Sequence, residues 1–242
     1  MTEALRARSV AARLATLDWA ALEHMLEERG HAITPPLLQP AECADLVRLY
    51  GDERRFRSRV DMARFRFGVG EYRYFAEPLP PLVAALRTHV YRHLAPIANR
   101  WTAALGGAER YPPELARYLV RCAARGQTRP TPLLLRYTTG GYNCLHQDLY
   151  GALSFPLQLT CALSRPREDY TGGELLLVEQ RPRAQSRGEV VVLPQGAAVI
   201  FPTRHRPVAG TRGHYRATVR HGLSRLHSGE RLALGIIFHN AE

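Results

Sequence analysis

Arg136-Tyr137-Thr138-Thr139-Gly140-Gly141-Tyr142-Asn143-Cys144-Leu145-His146-Gln147-Asp148 is the stretch from which the rest of the chain is read. On a β-strand residues i and i+2 share a face, so His146 and Asp148 converge while Leu145 and Gln147 face away. Non-haem Fe(II) oxygenases hold their metal with two His and one carboxylate on one side, leaving positions open for cosubstrate and O₂. The pair supplies two of those ligands, and the third must be a distant His: His205, His214 or His221. His221 is preferred because it opens the strand-like His221-Gly222-Leu223-Ser224-Arg225-Leu226. It is also the choice that places Arg231 at the following strand with Gly229 before it. His205 is the rival, although a lone His of this kind is more often a surface or satisfied core residue.

Arg231 leads into the apolar run Leu232 to Phe238, which reads as a buried strand. Its guanidinium then starts at the rim and points inward, and a planar fork suits a dicarboxylate. The implied cosubstrate is 2-oxoglutarate, its keto acid end on iron and its far carboxylate on the arginine. The chain contains no Lys, so this anchor has to be an Arg. An isolated His-x-Asp is a weak signal. Paired ligands, a distant His, then Arg and a buried strand in that order are hard to explain as core packing.

From Thr131 onward short strands alternate with turns. They are Leu133 to Tyr137, Cys144 to Asp148, Leu157 to Leu163, Glu174 to Val178, Val190 to Leu193, Ala197 to Phe201, Val219 to Leu226 and Leu232 to Phe238. Such a set predicts an α+β fold, with a double-stranded β-helix (jelly-roll) core buttressed by N-terminal helices. The metal would sit in the mouth of the barrel. Phe201 to Val219 reads as a surface loop or hairpin, or alternatively as a wall of the substrate cleft.

The first half reads helical: a helix within Met1 to Thr16, Leu17 to Arg29 stopped by Gly30, and Pro40 to about Tyr50. Leu79 to Ala104 follows as one helix or two joined near Pro96, and then Pro113 to Arg125. Between them Phe56 to Phe75 interleaves Arg with aromatics. It is either a solvated hairpin packing its rings on the core, or a lid in which Arg meets phosphates and Tyr stacks on a base. The expected organisation is residues 1–130 as a helical region with a lid at about 56–75, and 131–242 as the catalytic core, the two forming one compact unit.

These segments resemble the AlkB-type Fe(II)- and 2-oxoglutarate-dependent dioxygenases. Arg136-Tyr137, followed at the family's spacing by Leu145-His146-Gln147-Asp148, is similar to that family's signature, and His221-Gly222-Leu223 to its His-Gly-Ile segment. Gly70-Glu71-Tyr72-Arg73-Tyr74-Phe75 is similar to the Gly-Tyr-x-Tyr segment of its nucleotide-recognition lid. The resemblance implies His146, Asp148 and His221 on iron, Tyr137 hydrogen-bonding the cosubstrate and Arg231 on its distal carboxylate. It places Tyr72, Arg73, Tyr74 and Tyr150 on the substrate side, with no catalytic group beyond the metal centre. Leu135, Ile237 and Tyr150 stand where the family has Asn, a second Arg and an acidic residue, and the gap from His221 to Arg231 is nearer the prolyl-hydroxylase arrangement. The whole chain is more closely similar to a bacterial group assigned to nucleic-acid-acting oxygenases. Its marks here are Arg206-Pro207-Val208, Gly210-Thr211-Arg212-Gly213 and Gly235-Ile236-Ile237-Phe238-His239.

With 242 residues, 45% of them hydrophobic, the chain can bury one sizeable core. It has no apolar run long enough for a bilayer and no secretory signal, so a cytoplasmic location is expected. Cys43, Cys122, Cys144 and Cys161 lack metal-ribbon or disulfide spacing and are expected as thiols, with Cys144 on the face of His146 and Asp148. The net charge of +11 favours a polyanionic partner, damaged DNA or RNA. The leading function is oxidative dealkylation of damaged nucleic acid, with release of formaldehyde, succinate and CO₂. The alternatives are a 2-oxoglutarate-dependent hydroxylase of a protein side chain or small metabolite, and a catalytically silent barrel that binds nucleic acid. The oligomeric state is not specified by the sequence.

Overall fold

The computed structural model describes residues 2–242, the first helix by its backbone alone as far as residue 8; Met1, the first residue of the expected N-terminal helix, lies outside the described residues. The helices are α1 (Glu3–Ala15), α2 (Trp19–Arg29), α3 (Pro40–Leu49), α4 (Pro81–Ala104) and α5 (Leu115–Ala123). Their ends follow local chemistry. Asp18 caps α2 by accepting from the Ala21 N–H at 2.9 Å, and Gly30 ends it in the left-handed conformation at φ 80°. Glu42 closes a capping box at the start of α3. Of the two readings of residues 79–104, the single helix is the one found. It runs through Pro96, which forgoes one backbone bond.

The strands are β1 (Ala32–Ile33), β2 (Phe56–Asp61), β3 (Gly68–Val69), β4 (Glu71–Phe75), β5 (Leu133–Thr138), β6 (Tyr142–His146) and β7 (Leu157–Ala162). They continue with β8 (Tyr170–Gly172), β9 (Leu175–Gln180), β10 (Arg187–Val191), β11 (Ala198–Pro202), β12 (His205–Gly210), β13 (Gly213–Leu223) and β14 (Leu226–Ile236). The larger sheet runs β1-β11-β7-β14-β5-β4-β2, with β8 also on β14. The smaller runs β10-β9-β13-β6-β3, with β12 also on β13. The strand pairings within both sheets are antiparallel, as in a jelly roll.

Period-two alternation gives the larger sheet two different faces. Leu157, Leu159 and Cys161 on β7, and Leu232, Leu234 and Ile236 on β14, join the helices in one core. α4 supplies Leu86, Val90, Leu94 and Ile97 to it at helical spacing. The intervening residues turn toward the smaller sheet and line a cavity between the two. The helices therefore do the work of covering one sheet face, which leaves the other free to build a site.

One expectation needs correction. The metal strand ends at His146, so Asp148 lies just beyond the ladder, not within a strand reaching 148. Of the readings of residues 201–219 the hairpin is the one found: β12 and the first half of β13 pair, and the hairpin continues the ligand-bearing strand. In the Arg-aromatic segment β2 and β4 pair as a hairpin, and β4 pairs with β5 from Glu71↔Arg136 to Tyr74↔Leu133 in the larger sheet, while β3 pairs with β6 in the smaller one.

Candidate metal centre

β13 and β6 pair in a register that sets His221 directly opposite His146. Their ring centroids are 4.1 Å apart. Gly222 permits this approach, since a Cβ there would come within 2.7 Å of the Asn143 carbonyl. Past the end of β6 the chain brings Asp148 to the same point. His221 Nε2 lies 3.2 Å from Asp148 Oδ2, and His146 Nε2 lies 3.6 Å from Oδ1. One ligand atom from each of the three residues falls within 4.8 Å of the others, a group that could hold a metal ion.

The electrostatics suit an ion. Burial pushes the Asp148 carboxyl up, but the charges and hydrogen bonds of His221 and His146 outweigh it and hold the group well below the usual carboxylate range. His221 is lowered by burial first and then by the charge of His146, so it favours the neutral form that a metal requires. His146 is raised, because the Asp148 hydrogen bond and charge overcome its burial. His146 Nδ1 lies 2.8 Å from the Cys144 carbonyl, a contact that fixes the ring and leaves Nε2 toward the group. Two imidazoles and one carboxylate are a donor set for Fe(II) with open positions.

The cavity of about 370 Å³ extends from this group along the inner face of the larger sheet. Arg231 on β14 and Tyr137 on β5 are direct cross-strand partners. Arg231 is only 5% exposed and buries its Nε with no hydrogen-bond partner among the described residues. Such an orphaned guanidinium is costly unless an anion completes it. A carboxylate entering the cavity would do so, as the far end of 2-oxoglutarate would. Tyr137 Oη accepts from Asn143 Nδ2 at 3.2 Å, which ties the two sheets beside the anchor. Its phenol is held neutral by burial.

Tyr72, Tyr74 and Tyr150 also line the cavity. Arg73 does not join them. As the residue between two inward tyrosines it points to the other face, where Nε donates to Glu71 Oε1 at 2.8 Å and Nη1 to the Tyr50 carbonyl at 3.0 Å. The other His candidates also stand apart: His205 Nδ1 is 3.3 Å from Thr218 Oγ1 on the outer hairpin, and His214 is exposed. Cys144 lines the cavity but is exposed, its Sγ 3.8 Å from the Arg66 carbonyl.

Sequence reasoning missed Asn143, Gln158 and Thr160, all on the cavity wall. Gln158 buries its Nε2 without a partner. The signal was available in β7, where Gln158 and Thr160 alternate with Leu157, Leu159 and Cys161: polar residues at every second place of a mostly buried strand need something to face.

Comparison with known proteins places these features in context. Residues 70–241 match the model of the Oxygenase-NA family, described as "Oxygenase, catalysing oxidative methylation of damaged DNA". Two uncharacterized proteins of Mycobacterium tuberculosis, MT2286 of strain CDC 1551 / Oshkosh and Rv2227 of strain H37Rv, are each 54% identical over 167 residues, covering 69% of this chain and 72% of theirs. Among solved structures, an oxidoreductase of the 2OG-Fe(II) oxygenase family from Burkholderia pseudomallei aligns with a TM-score of 0.57 at 13% identity, covering 93% of both chains. A Trichoplax adhaerens prolyl hydroxylase, solved with a hypoxia inducible factor peptide fragment, aligns with a TM-score of 0.52 at 13% identity, covering 92% of this chain and 88% of that one. At these identities the structural likeness speaks for the jelly-roll fold.

Proposed function

Because the chain belongs to the Oxygenase-NA family, and so is an oxygenase, we propose that it demethylates damaged nucleic acid oxidatively, with the AlkB-type division of labour. The His146, Asp148 and His221 group fits Fe(II) with 2-oxoglutarate and O₂ as cosubstrates. On this reading those three residues hold the metal, while Tyr137 and Arg231 hold the cosubstrate.

The bound iron and its cosubstrates supply the insertion of one oxygen atom into a substrate C–H bond, with 2-oxoglutarate and O₂ converted to succinate and CO₂. On an N-methyl group the product is a hemiaminal, which breaks its C–N bond to release formaldehyde and the bare amine. The protein positions, orients and excludes water. Arg231, itself 5% exposed, would neutralise the far carboxylate, and the three inward tyrosines would give the substrate ring a wall to pack on. No general base is required of the side chains.

The observation that carries the substrate class is at the rim. Phe65 and Phe67 are 58% and 47% exposed, with their ring centroids 5.6 Å apart and stacked, and they alternate with the exposed Arg64 and Arg66. Phe67 and Arg66 border the same cavity as the metal residues. Exposed aromatic faces flanked by guanidinium groups are the combination that binds single-stranded nucleic acid, by stacking and by phosphate contact. The net charge of +11 acts in the same direction.

A second reading, hydroxylation of a protein side chain or small metabolite, is favoured by Leu145 and Leu149, which are exposed beside the metal residues and would suit an apolar partner. Formaldehyde release from N-methylated single-stranded DNA, RNA and free nucleosides, measured beside 2-oxoglutarate turnover, separates the two. Release from a methylated polymer is expected. Strong turnover without release from any of the three would move the assignment to the hydroxylase.

A further inference from the structure

Tyr150 follows Asp148 by two residues, where the family resemblance implies contact with substrate, yet its hydroxyl is already engaged. Tyr150 Oη donates to Asp148 Oδ1 at 2.5 Å.

We infer that Tyr150 is a positioning residue of the metal centre, occupying one oxygen of Asp148 so that the carboxylate offers a single oxygen to the ion. This inference rests on the reading of His146, Asp148 and His221 as metal ligands. Asp148 is 7% exposed, so whichever oxygen does not meet a metal needs a partner from the protein. The phenol takes Oδ1 and leaves Oδ2, the atom beside His221 Nε2. A carboxylate chelating through both oxygens would consume a coordination position, and a facial site must keep its remaining positions open for cosubstrate and O₂.

The surroundings hold the phenol in place. Its ring packs edge-on to Tyr74, with centroids 6.1 Å apart, and lies 5.9 Å from the ring of His239. The Tyr150 carbonyl accepts from the Glu242 N–H at 3.2 Å, which ties this residue to the C-terminal segment. His239 in turn accepts from the Phe155 N–H through Nδ1 at 3.2 Å. The donor is thus clamped from both sides, as a side chain that orients a ligand has to be.

The test is Co(II) binding to the full-length protein under anaerobic conditions, followed by titration and by the visible d–d spectrum. Tyr150→Phe keeps the ring between Tyr74 and His239 and loses only the hydroxyl. Its affinity for Co(II) should fall about 10-fold or more, the usual effect of removing a group that orients a ligand, and its spectrum should change as the carboxylate is freed to chelate. Tyr150→Leu repeats the measurement with different packing, and the melting temperature of the metal-free proteins reports folding separately. Wild-type affinity and an unchanged spectrum in either folded variant would overturn the role of Tyr150 while leaving the metal site intact. Wild-type protein that binds Co(II) no better than His221→Ala would overturn the site, and the role of Tyr150 with it.

Discussion

His146 and His221 are cross-strand neighbours on the β6–β13 ladder, with their rings inclined by 47°. Facing side chains on an antiparallel pair start about 4.5 to 5.5 Å apart at Cβ, so backbone register alone brings the two imidazoles to one point. A slip of one residue would present Arg220 instead. His221→Ala and His146→Ala should therefore abolish Fe(II)-dependent succinate formation and Co(II) binding, whereas His205→Ala, changed on the outer hairpin, should retain most of both. The opposite pattern, with binding lost in His205→Ala and kept in His221→Ala, would reject the ligand set.

Arg231 is a buried cation whose Nε has no hydrogen-bond partner among the described residues, its guanidinium lying 5.8 Å from the Tyr170 ring centroid. A charge-assisted contact of this kind is worth about 1.5 to 3 kcal/mol. Arg231→Met should weaken 2-oxoglutarate binding about 10- to 100-fold by calorimetry on the metal-loaded protein. The same variant should raise the melting temperature of the ligand-free protein, because an unpaired buried charge is replaced by an apolar chain. A cosubstrate affinity equal to wild type would remove Arg231 from the anchor role.

Away from the site, Arg206 on β12 is fully buried and donates to Glu179 Oε2 at 2.5 Å and to the Glu27 carbonyl at 2.8 Å. This pins the hairpin to the end of α2, where Gly30 leaves room that a Cβ would deny, 2.8 Å from Arg206 Nε. Glu179→Ala strands the guanidinium and should cost about 3 to 5 kcal/mol in denaturant unfolding. The pH dependence has a definite sign. Burial raises the Glu179 pKa, but Arg206 and Arg181 outweigh it, so the folded value lies below the ordinary 4.5. The pair's contribution is complete above that ordinary value and is lost as pH falls through the folded one. The stability gap between wild type and Glu179→Ala should shrink on acidification, and a gap that widens would contradict the pairing.

What could be read in the sequence was local. The i, i+2 spacing of His146 and Asp148, the apolar strand after Arg231 and the Gly30 stop each follow from the geometry of a single element. What could not be read depended on contacts between elements. No periodicity shows that β6 stops at His146, that Asn143 reaches across to Tyr137, or that Arg73 spends its charge on Glu71 and the Tyr50 carbonyl. The choice between loop and hairpin for residues 201–219 stayed open in the sequence because exposed arginines there alternate with few apolar residues, so the strand signal fades until Ala217 and Val219 turn inward. The family resemblance put Tyr150 on the substrate side, and only the folded chain shows its hydroxyl already bound to Asp148.

The rim offers the sharpest test of substrate class. Phe65 belongs to a short turn whose neighbours are held by backbone bonds, Phe67 N–H to the Met62 carbonyl at 3.0 Å and Cys144 N–H to the Phe67 carbonyl at 2.8 Å. The aromatic pair is therefore presented on a tethered base beside the metal strand, and ordering it on binding costs little. Each base stacked on an aromatic side chain contributes about 1 to 3 kcal/mol. Phe65→Ser should raise KM for a methylated single strand about 10-fold while leaving the Kd for 2-oxoglutarate at its wild-type value. Arg66→Ser should weaken binding to all sequences alike and flatten its salt dependence, since a phosphate contact releases counterions whatever the base. If Phe65→Ser binds the methylated strand as well as wild type does, and a peptide substrate is lost instead, the rim belongs to a protein partner and the hydroxylase reading takes precedence.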